Sequence, residues 1–268
     1  GRVRSAAMSG AALLPRWAWG PFAVGAAVLL VPILGLLSRA PWARMGELLA
    51  SEPSRDALLL SLRTCLASTL VVLLLGVPMA LVLARSTGRW VPAARALVAV
   101  PMVLPPVVAG LALVTTLGRR GLLGAPLAVA GIEIGFTTAA VVVAQTFVAL
   151  PFLVISLEGA LRSAGTDHDR AAARLGAPPT TVFWRVTVPL AAPAIASGTA
   201  LAFARALGEF GATLTFAGSL QGVTRTLPLE IYLLREVDTE LSLALAVVLL
   251  AVAAVVVVVA VGRRRPGG

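Results

Sequence analysis

Long hydrophobic segments alternate with short polar ones along the whole chain. A hydrocarbon core of about 30 Å needs about 20 apolar residues in a helix, and lipid offers the backbone no hydrogen-bond partners, so each long segment predicts a transmembrane helix. The pattern therefore predicts an all-α polytopic membrane protein in the lipid bilayer. Its six predicted spans lie near residues 20–38, 60–83, 92–117, 137–157, 190–213 and 241–261.

The longest polar segment between two spans is the loop of residues 158–189, between the fourth and fifth spans. Its centre, residues 167–177, has the periodicity of a helix. One face is small or apolar and carries His168, Ala171, Ala172 and Leu175. The other face is charged and carries Asp167, Arg170 and Arg174.

Capping residues bound this predicted helix on both sides. Thr166 with Asp169 three residues later is typical of a helix start, and Gly176 followed by two prolines predicts the end. A helix this short is marginal alone in water, so it must be docked. It either packs on its own protein or fits a groove on a partner.

Composition narrows the class of protein. Of the 268 residues 59% are hydrophobic and only 13% charged, against about 25% charged in soluble domains. All 22 basic residues are Arg, and without Lys the GxxxxGK[ST] nucleotide loop cannot exist, so any ATP use must reside in another chain. A single Cys and a single His exclude an intramolecular disulfide and a multi-cysteine metal site. Dispersed Arg residues with few aromatics predict no nucleic-acid partner.

The distribution of arginine predicts the topology. An even number of spans puts both termini on one side, and with that side inside, the inner segments hold 13 Arg and the outer segments 8. We therefore expect a multi-pass membrane protein with both termini inside. Residues 20–261 are predicted to form one transmembrane domain, whereas the N-terminal segment 1–19, the loop 158–189 and the tail 262–268 are cytoplasmic.

One charged pair, Arg205 and Glu209, falls inside the fifth span at i, i+4 spacing. Intramembrane charges are costly, so the pair is either neutralised between packed helices or lines a conduction path. Hydroxyl residues of the same region are candidate path residues, namely Ser197, Thr199, Thr213 and Thr215. Prolines interrupt several spans, and the outer segment 216–239 predicts a short helix over residues 229–234.

The loop resembles the cytoplasmic signature of ABC importer permeases. That signature reads E-A-A, three residues, Gly, nine residues, then hydrophobic, any, hydrophobic and Pro. The residues at those spacings here are Ala171, Ala172, Gly176, Val186, Val188 and Pro189. Arg170 stands where the family has Glu, and Asp169 or Asp167 is the expected source of the acidic contact instead.

Two further motifs narrow the resemblance to one branch of that family. Gly208 to Thr213 reads GEFGAT and Thr224 to Pro228 reads TRTLP. Both are similar to permeases of molybdate, tungstate and sulfate importers, most closely the molybdate type. The resemblance covers most of residues 57–260.

The resemblance implies a homodimer of this chain, two copies of a cytoplasmic ATPase that binds ATP and Mg²⁺, and an external, periplasmic oxyanion-binding protein. It implies no cofactor and no catalytic activity in this chain itself, and it implies a permease domain in the inner (cytoplasmic) membrane of a prokaryote. The loop helix would be a coupling helix, contacting the ATPase through Asp167, Asp169, Arg170, Ala171, Ala172, Leu175 and Gly176. The translocation path or its gate would involve Arg205, Gly208, Glu209, Phe210, Gly211 and Thr213.

Other functions leave signals that this sequence lacks. An ATP-independent secondary carrier or channel would carry titratable residues in several spans and an inverted repeat. A membrane-embedded enzyme would need a metal motif, paired intramembrane carboxylates or a nucleophile with its base. Within the favoured class, tungstate or sulfate remains an alternative cargo to molybdate.

Overall fold

The computed structural model describes residues 15–262, and every regular element within that range is helical. The predicted end segments 1–19 and 262–268 lie largely outside it. In chain order the helices are α1 (Trp19–Ser38), α2 (Met45–Leu49), α3 (Glu52–Arg85), α4 (Val91–Val103), α5 (Pro106–Leu117), α6 (Gly124–Val129), α7 (Thr138–Ala164), α8 (Asp167–Arg174), α9 (Pro179–Val182), α10 (Val188–Leu207), α11 (Gly211–Ala217), α12 (Leu227–Leu234) and α13 (Thr239–Gly262). A π-helical turn, Phe183–Thr187, joins α9 to α10.

Five helices are long and apolar enough to cross a membrane, and α4 with α5 makes a sixth if the bent pair is one span. The prediction of an all-helical protein with several membrane spans is confirmed. Two boundaries were wrong: α3 begins at Glu52 rather than near residue 60, and α7 continues to Ala164, seven residues into the predicted loop. Polar residues at both ends extend these helices beyond the hydrocarbon core, where hydropathy gives no signal.

The third predicted span, residues 92–117, is not one helix, because α4 and α5 are bent by 113° at their junction. Leu104 and Pro105 both have extended backbone, with ψ of 132° and 137°. Each precedes a proline, and the proline ring disfavours helical geometry in the residue before it. The paired prolines thus break the span, whereas the isolated Pro101 is accommodated inside α4.

The fifth predicted span, 190–213, also differs from the structure. The helical segment starts earlier, at Pro179, and ends at Leu207. Gly208 caps α10, and the chain turns through Glu209 and Phe210 before α11 begins at Gly211. The predicted outer helix is confirmed but begins at Leu227, because Pro228 fits the first turn of a helix.

Helix α7 is the centre of the bundle and packs on α3, α10, α4 and α11. Its half nearer α8 shares a core with α3 and α10, and its other half packs with α5 and α11. Helix α1, by contrast, buries none of its residues within the described chain. In α13, Val255 and Val258 are exposed, as expected for a helix that faces lipid.

Candidate functional site

The predicted loop helix exists as α8, but it ends at Arg174 instead of residue 177. Gly176 adopts a left-handed conformation with φ of +85°, as the sequence suggested. Its N–H donates to the Ala173 carbonyl at 3.0 Å, and the N–H of Ala177 donates to Ala172 at 3.2 Å. These two bonds form a Schellman motif, which ends the helix and satisfies its last carbonyls. Thr166 occupies the N-cap position, yet its side chain makes no capping bond among the described residues.

Helix α8 is clamped to the membrane helices through Asp169. One carboxylate oxygen lies 2.7 Å from Arg85 Nη2 at the end of α3, and the other accepts a hydrogen bond from Thr187 Oγ1 at 3.0 Å. Arg85 also donates to the Gly165 carbonyl at 2.6 Å, just beyond α7. The Asp169 carboxylate is therefore committed within the chain. Asp167, by contrast, is exposed.

The opposite face of α8 has no cover. Leu175 is 89% exposed, and His168 and Ala171 are exposed beside it, whereas Ala172 is half-buried. The predicted apolar face is therefore divided, with Ala172 turned toward the protein and the other three toward solvent. Arg170 is exposed and forms no ion pair within residues 15–262. One flank of α8 therefore packs on its own protein, and docking of the other flank on a partner stays a prediction.

A second ion-pair cluster lies one helix turn from this clamp. Glu158 on α7 is buried and lies 2.5 Å from Arg95 Nε on α4 and 3.7 Å from Arg162. Arg95 also donates to the Leu83 carbonyl at 3.1 Å near the end of α3. The helices α3, α4 and α7 are thus tied together at the end that carries α8.

The intramembrane pair is present at the break between α10 and α11. Glu209 is 1% exposed, and its Oε2 lies 2.7 Å from Nη2 of Arg205. Its Oε1 accepts a hydrogen bond at 2.8 Å from the N–H of Ala212, in the first turn of α11. The carboxylate therefore neutralises a cation and caps a helix start, where unpaired N–H groups and the helix dipole favour negative charge.

The glycines flanking this motif have different surroundings. A side chain on Gly211 would collide with Pro106, and one on Gly110 would come within 2.5 Å of Thr215 Cβ, so α5 and α11 cross in close contact. Gly208 lies in open surroundings, where the nearest atom to an added Cβ is 3.7 Å away. Close helix approach thus explains Gly211 but not Gly208. The ring of Phe210 contacts that of Tyr232 on α12, with centroids 5.0 Å apart and ring planes tilted by 54°.

Hydroxyl groups near this break divide into two kinds. Ser197 and Thr215 donate to carbonyls of their own helices, at 3.2 and 2.8 Å. The hydroxyls of Thr199 and Thr213 are buried with no hydrogen-bond partner in the described part of the chain. Buried polar groups normally have partners, so these two hydroxyls are exceptions within the described chain.

Arg85, Thr187 and Tyr232 were not foreseen from the sequence. In the sequence, Arg85 is only one of the charges that flank the second span, because its partner Asp169 is 84 residues away. Tyr232, the only tyrosine, lies within the predicted outer helix, and its contact with Phe210 depends on the α10–α11 break.

The chain resembles characterised transport proteins over most of its length. Residues 73–264 match the family described as binding-protein-dependent transport system inner membrane component. The molybdenum transport system permease protein ModB of Mycobacterium tuberculosis is 58% identical over 233 residues, covering 87% of this chain and 88% of that protein. ModB of Escherichia coli K12 is 38% identical over 188 residues, covering 70% and 82%. The fold resembles a bacterial ABC transporter that imports alginate, with a TM-score of 0.66, 20% identity, and coverage of 94% and 96%.

Proposed function

Because the chain belongs to the family of inner-membrane components of binding-protein-dependent transport systems, we propose that it is the permease subunit of an ATP-driven molybdate importer. The cargo is inferred from the identity to the ModB permeases. In this proposal an external binding protein delivers the oxyanion. Two copies of a separate ATPase bind ATP and Mg²⁺ on the side of α8, which is the cytoplasmic side by the distribution of arginine.

The observation that carries the coupling role is the two-sided character of α8. Its inner flank is fixed to α3 and to the π-helical turn before α10 by Asp169, while Leu175 is exposed at its far end. A helix that only covered its own protein would bury its largest apolar side chain. Exposed on a clamped helix, Leu175 supports docking in a groove of another protein.

Movement of α8 can reach the membrane through these bonds. When ATP draws the ATPase subunits together, each α8 moves with them, and Arg85 transmits the displacement to the ends of α3 and α7. The Thr187 contact does the same for α10. ATP drives this change because it binds one conformation better than the other, since a ligand shifts an equilibrium only by its differential affinity.

The α10–α11 break suits an anion that must pass without being trapped. Arg205 attracts a dianion, but Glu209 neutralises its charge and so prevents tight binding. The unpaired hydroxyls of Thr199 and Thr213 can donate hydrogen bonds to a tetrahedral oxyanion in transit. Moderate attraction with few fixed ligands is the condition for conduction.

The homodimer is inferred from α1. This helix spans Trp19–Ser38, is apolar, and has no residue that is buried by the described part of its own chain. Lipid or a second copy must therefore cover it. We propose that α1 packs on the partner copy, and the mass of the detergent-solubilised protein, measured by light scattering, tests this with a dimer expected.

The cargo is tested by reconstituting the permease with its ATPase and binding protein in proteoliposomes. Molybdate is expected to stimulate ATP hydrolysis and to accumulate inside the vesicles. Stimulation by sulfate or tungstate alone would identify that anion as the cargo and leave the proposed mechanism unchanged. Accumulation without the ATPase would refute an ATP-driven importer in favour of a secondary carrier or channel.

The coupling role of α8 is tested by Gly176→Asp, with Gly131→Asp as a matched control. Both glycines have left-handed backbone, with φ of +85° and +79°, and both have open surroundings, so the conformational cost of substitution is similar. Only Gly176 lies beside the exposed end of α8. Gly176→Asp is expected to abolish uptake while ATP hydrolysis continues. Normal uptake by Gly176→Asp, or equal loss in Gly131→Asp, contradicts the assignment.

A further inference from the structure

Two adjoining cavities open on the surface shared by α3, α4 and α8. The larger, about 600 Å³, lies beside α8, and its polar lining includes Arg85, Ser86 and Arg170. The smaller, about 330 Å³, is an apolar groove between α3 and α4. Val82 lines both, so the groove leads directly to the cavity beside α8.

The groove exists because α4 packs chiefly on α7 rather than along α3. The two helices meet at their connection and then leave a gap, whose walls are apolar. These walls are Pro78, Met79, Val82, Leu83, Trp90, Ala94, Leu97 and Val98. In a membrane-spanning bundle a gap of this kind lies at the level of the acyl chains, where it must be filled by protein or lipid.

Positive charge lies in the larger cavity and in the connection next to the groove. Arg170 lines that cavity, and Arg89, which lines neither cavity, is exposed in the short connection between α3 and α4. Neither forms an ion pair within residues 15–262, whereas the one acidic residue of the cavity, Asp169, is already neutralised by Arg85. The cavity therefore presents uncompensated positive charge.

Trp90 marks the level of the membrane surface. Its ring is half exposed, lines the groove, and lies next in sequence to Arg89. Tryptophan side chains concentrate at the lipid headgroup level, because the ring is apolar and its N–H is polar. The order of these features matches that of a phospholipid. The apolar groove corresponds to an acyl chain, the tryptophan to the glycerol region, and the unpaired arginines to the phosphate.

We propose that these adjoining cavities bind an anionic phospholipid of the leaflet on the α8 side. One acyl chain lies in the α3–α4 groove, and the phosphate lies against Arg170 and Arg89. Basic pockets between transmembrane helices are known to recognise such headgroups. The lipid would hold the flank of α8 and supply negative charge beside Arg170, at the position where the permease signature carries an acidic residue.

The proposal is tested by titrating the purified full-length permease with phosphatidylglycerol or phosphatidylcholine and counting bound lipids by native mass spectrometry. The wild type is expected to prefer phosphatidylglycerol. Arg89→Gln and Arg170→Gln should each weaken that lipid about fivefold, with phosphatidylcholine unchanged. Arg174→Gln is the matched control, because it removes a charge from the same helix outside the cavity.

The groove is tested separately by filling it. Ala94→Phe should weaken both lipids, whereas Ala93→Phe, on the exposed side of α4, should weaken neither. Equal affinity of the wild type for both lipids, or equal effects of Arg170→Gln and Arg174→Gln, would overturn the proposal. A third result would also overturn it. If Ala94→Phe changed the fraction of dimer instead of lipid binding, a second copy of the chain would be what fills the groove. The assay contains no ATPase or oxyanion, so its outcome is independent of the transport tests.

Discussion

The contact between Arg85 and Asp169 should determine how firmly α8 is held. Asp169→Asn keeps the shape of the side chain but removes its charge, so the bond from Arg85 at 2.7 Å loses its ionic component. Hydrogen bonds to charged groups are worth about 1.5–3 kcal/mol, and both side chains remain about a quarter exposed, which reduces that value. We expect the opening of α8 to become easier by about 1–2 kcal/mol, a factor of about 5–30.

Hydrogen–deuterium exchange measures this opening directly. The amides of α8 in Asp169→Asn should exchange about 5–30 times faster than in the wild type, and those of the α7 core should not change. Arg85→Gln should have a larger effect, because it also removes the bond to the Gly165 carbonyl.

The control for this experiment is Asp167→Asn. It changes the same residue type on the same helix but removes only an exposed charge near the N-terminus, worth a few tenths of a kcal/mol. Unchanged exchange in Asp169→Asn, or equal acceleration in Asp167→Asn, would refute the clamp. In the reconstituted importer, a valid clamp also predicts more ATP hydrolysed per molybdate for Asp169→Asn.

Three further experiments probe the α10–α11 break. Glu209→Gln leaves Arg205 without its counter-charge and should lower the thermal unfolding temperature of the purified protein. Adding Arg205→Met should restore part of that temperature, and no recovery would contradict the pairing. Gly211→Ala should destabilise the protein by about 1–3 kcal/mol, because the added methyl group collides with the facing proline. Gly208→Ala has space for the methyl group and should not destabilise it. Equal unfolding temperatures of the two variants would contradict this. Thr213→Val should slow molybdate uptake without lowering the yield of folded protein, and wild-type uptake would remove that hydroxyl from the path.

Much of the fold follows from the sequence because membrane spans are determined by length and hydropathy. The missed bend is local: Pro101 and Pro105 look alike in a hydropathy pattern, but only the double proline forces two successive residues into extended backbone. The break after Leu207 was missed for a different reason. The helix that starts after the break is capped by the side chain of Glu209, which the sequence shows only as an intramembrane charge.

The end of the loop helix was predictable and its anchoring was not. Gly176 alone identifies the C-terminus, because its left-handed conformation is a local property. Asp169, however, lies between the two faces that periodicity defines, and its partner Arg85 is distant in sequence. Spacing can therefore place a helix without showing which of its charges point inward.

Three charged side chains of the described bundle share one structural task. Helix ends inside a bundle leave carbonyl and N–H groups that lipid cannot satisfy. Arg85 and Arg95 donate to such carbonyls near the ends of α7 and α3, and Glu209 accepts from an N–H at the start of α11. Each of these side chains also pairs with an oppositely charged side chain, so the backbone groups are satisfied without leaving an unpaired charge. The Arg205–Glu209 pair thus supports the α10–α11 break, in addition to the moderate attraction for an anion that we propose for it.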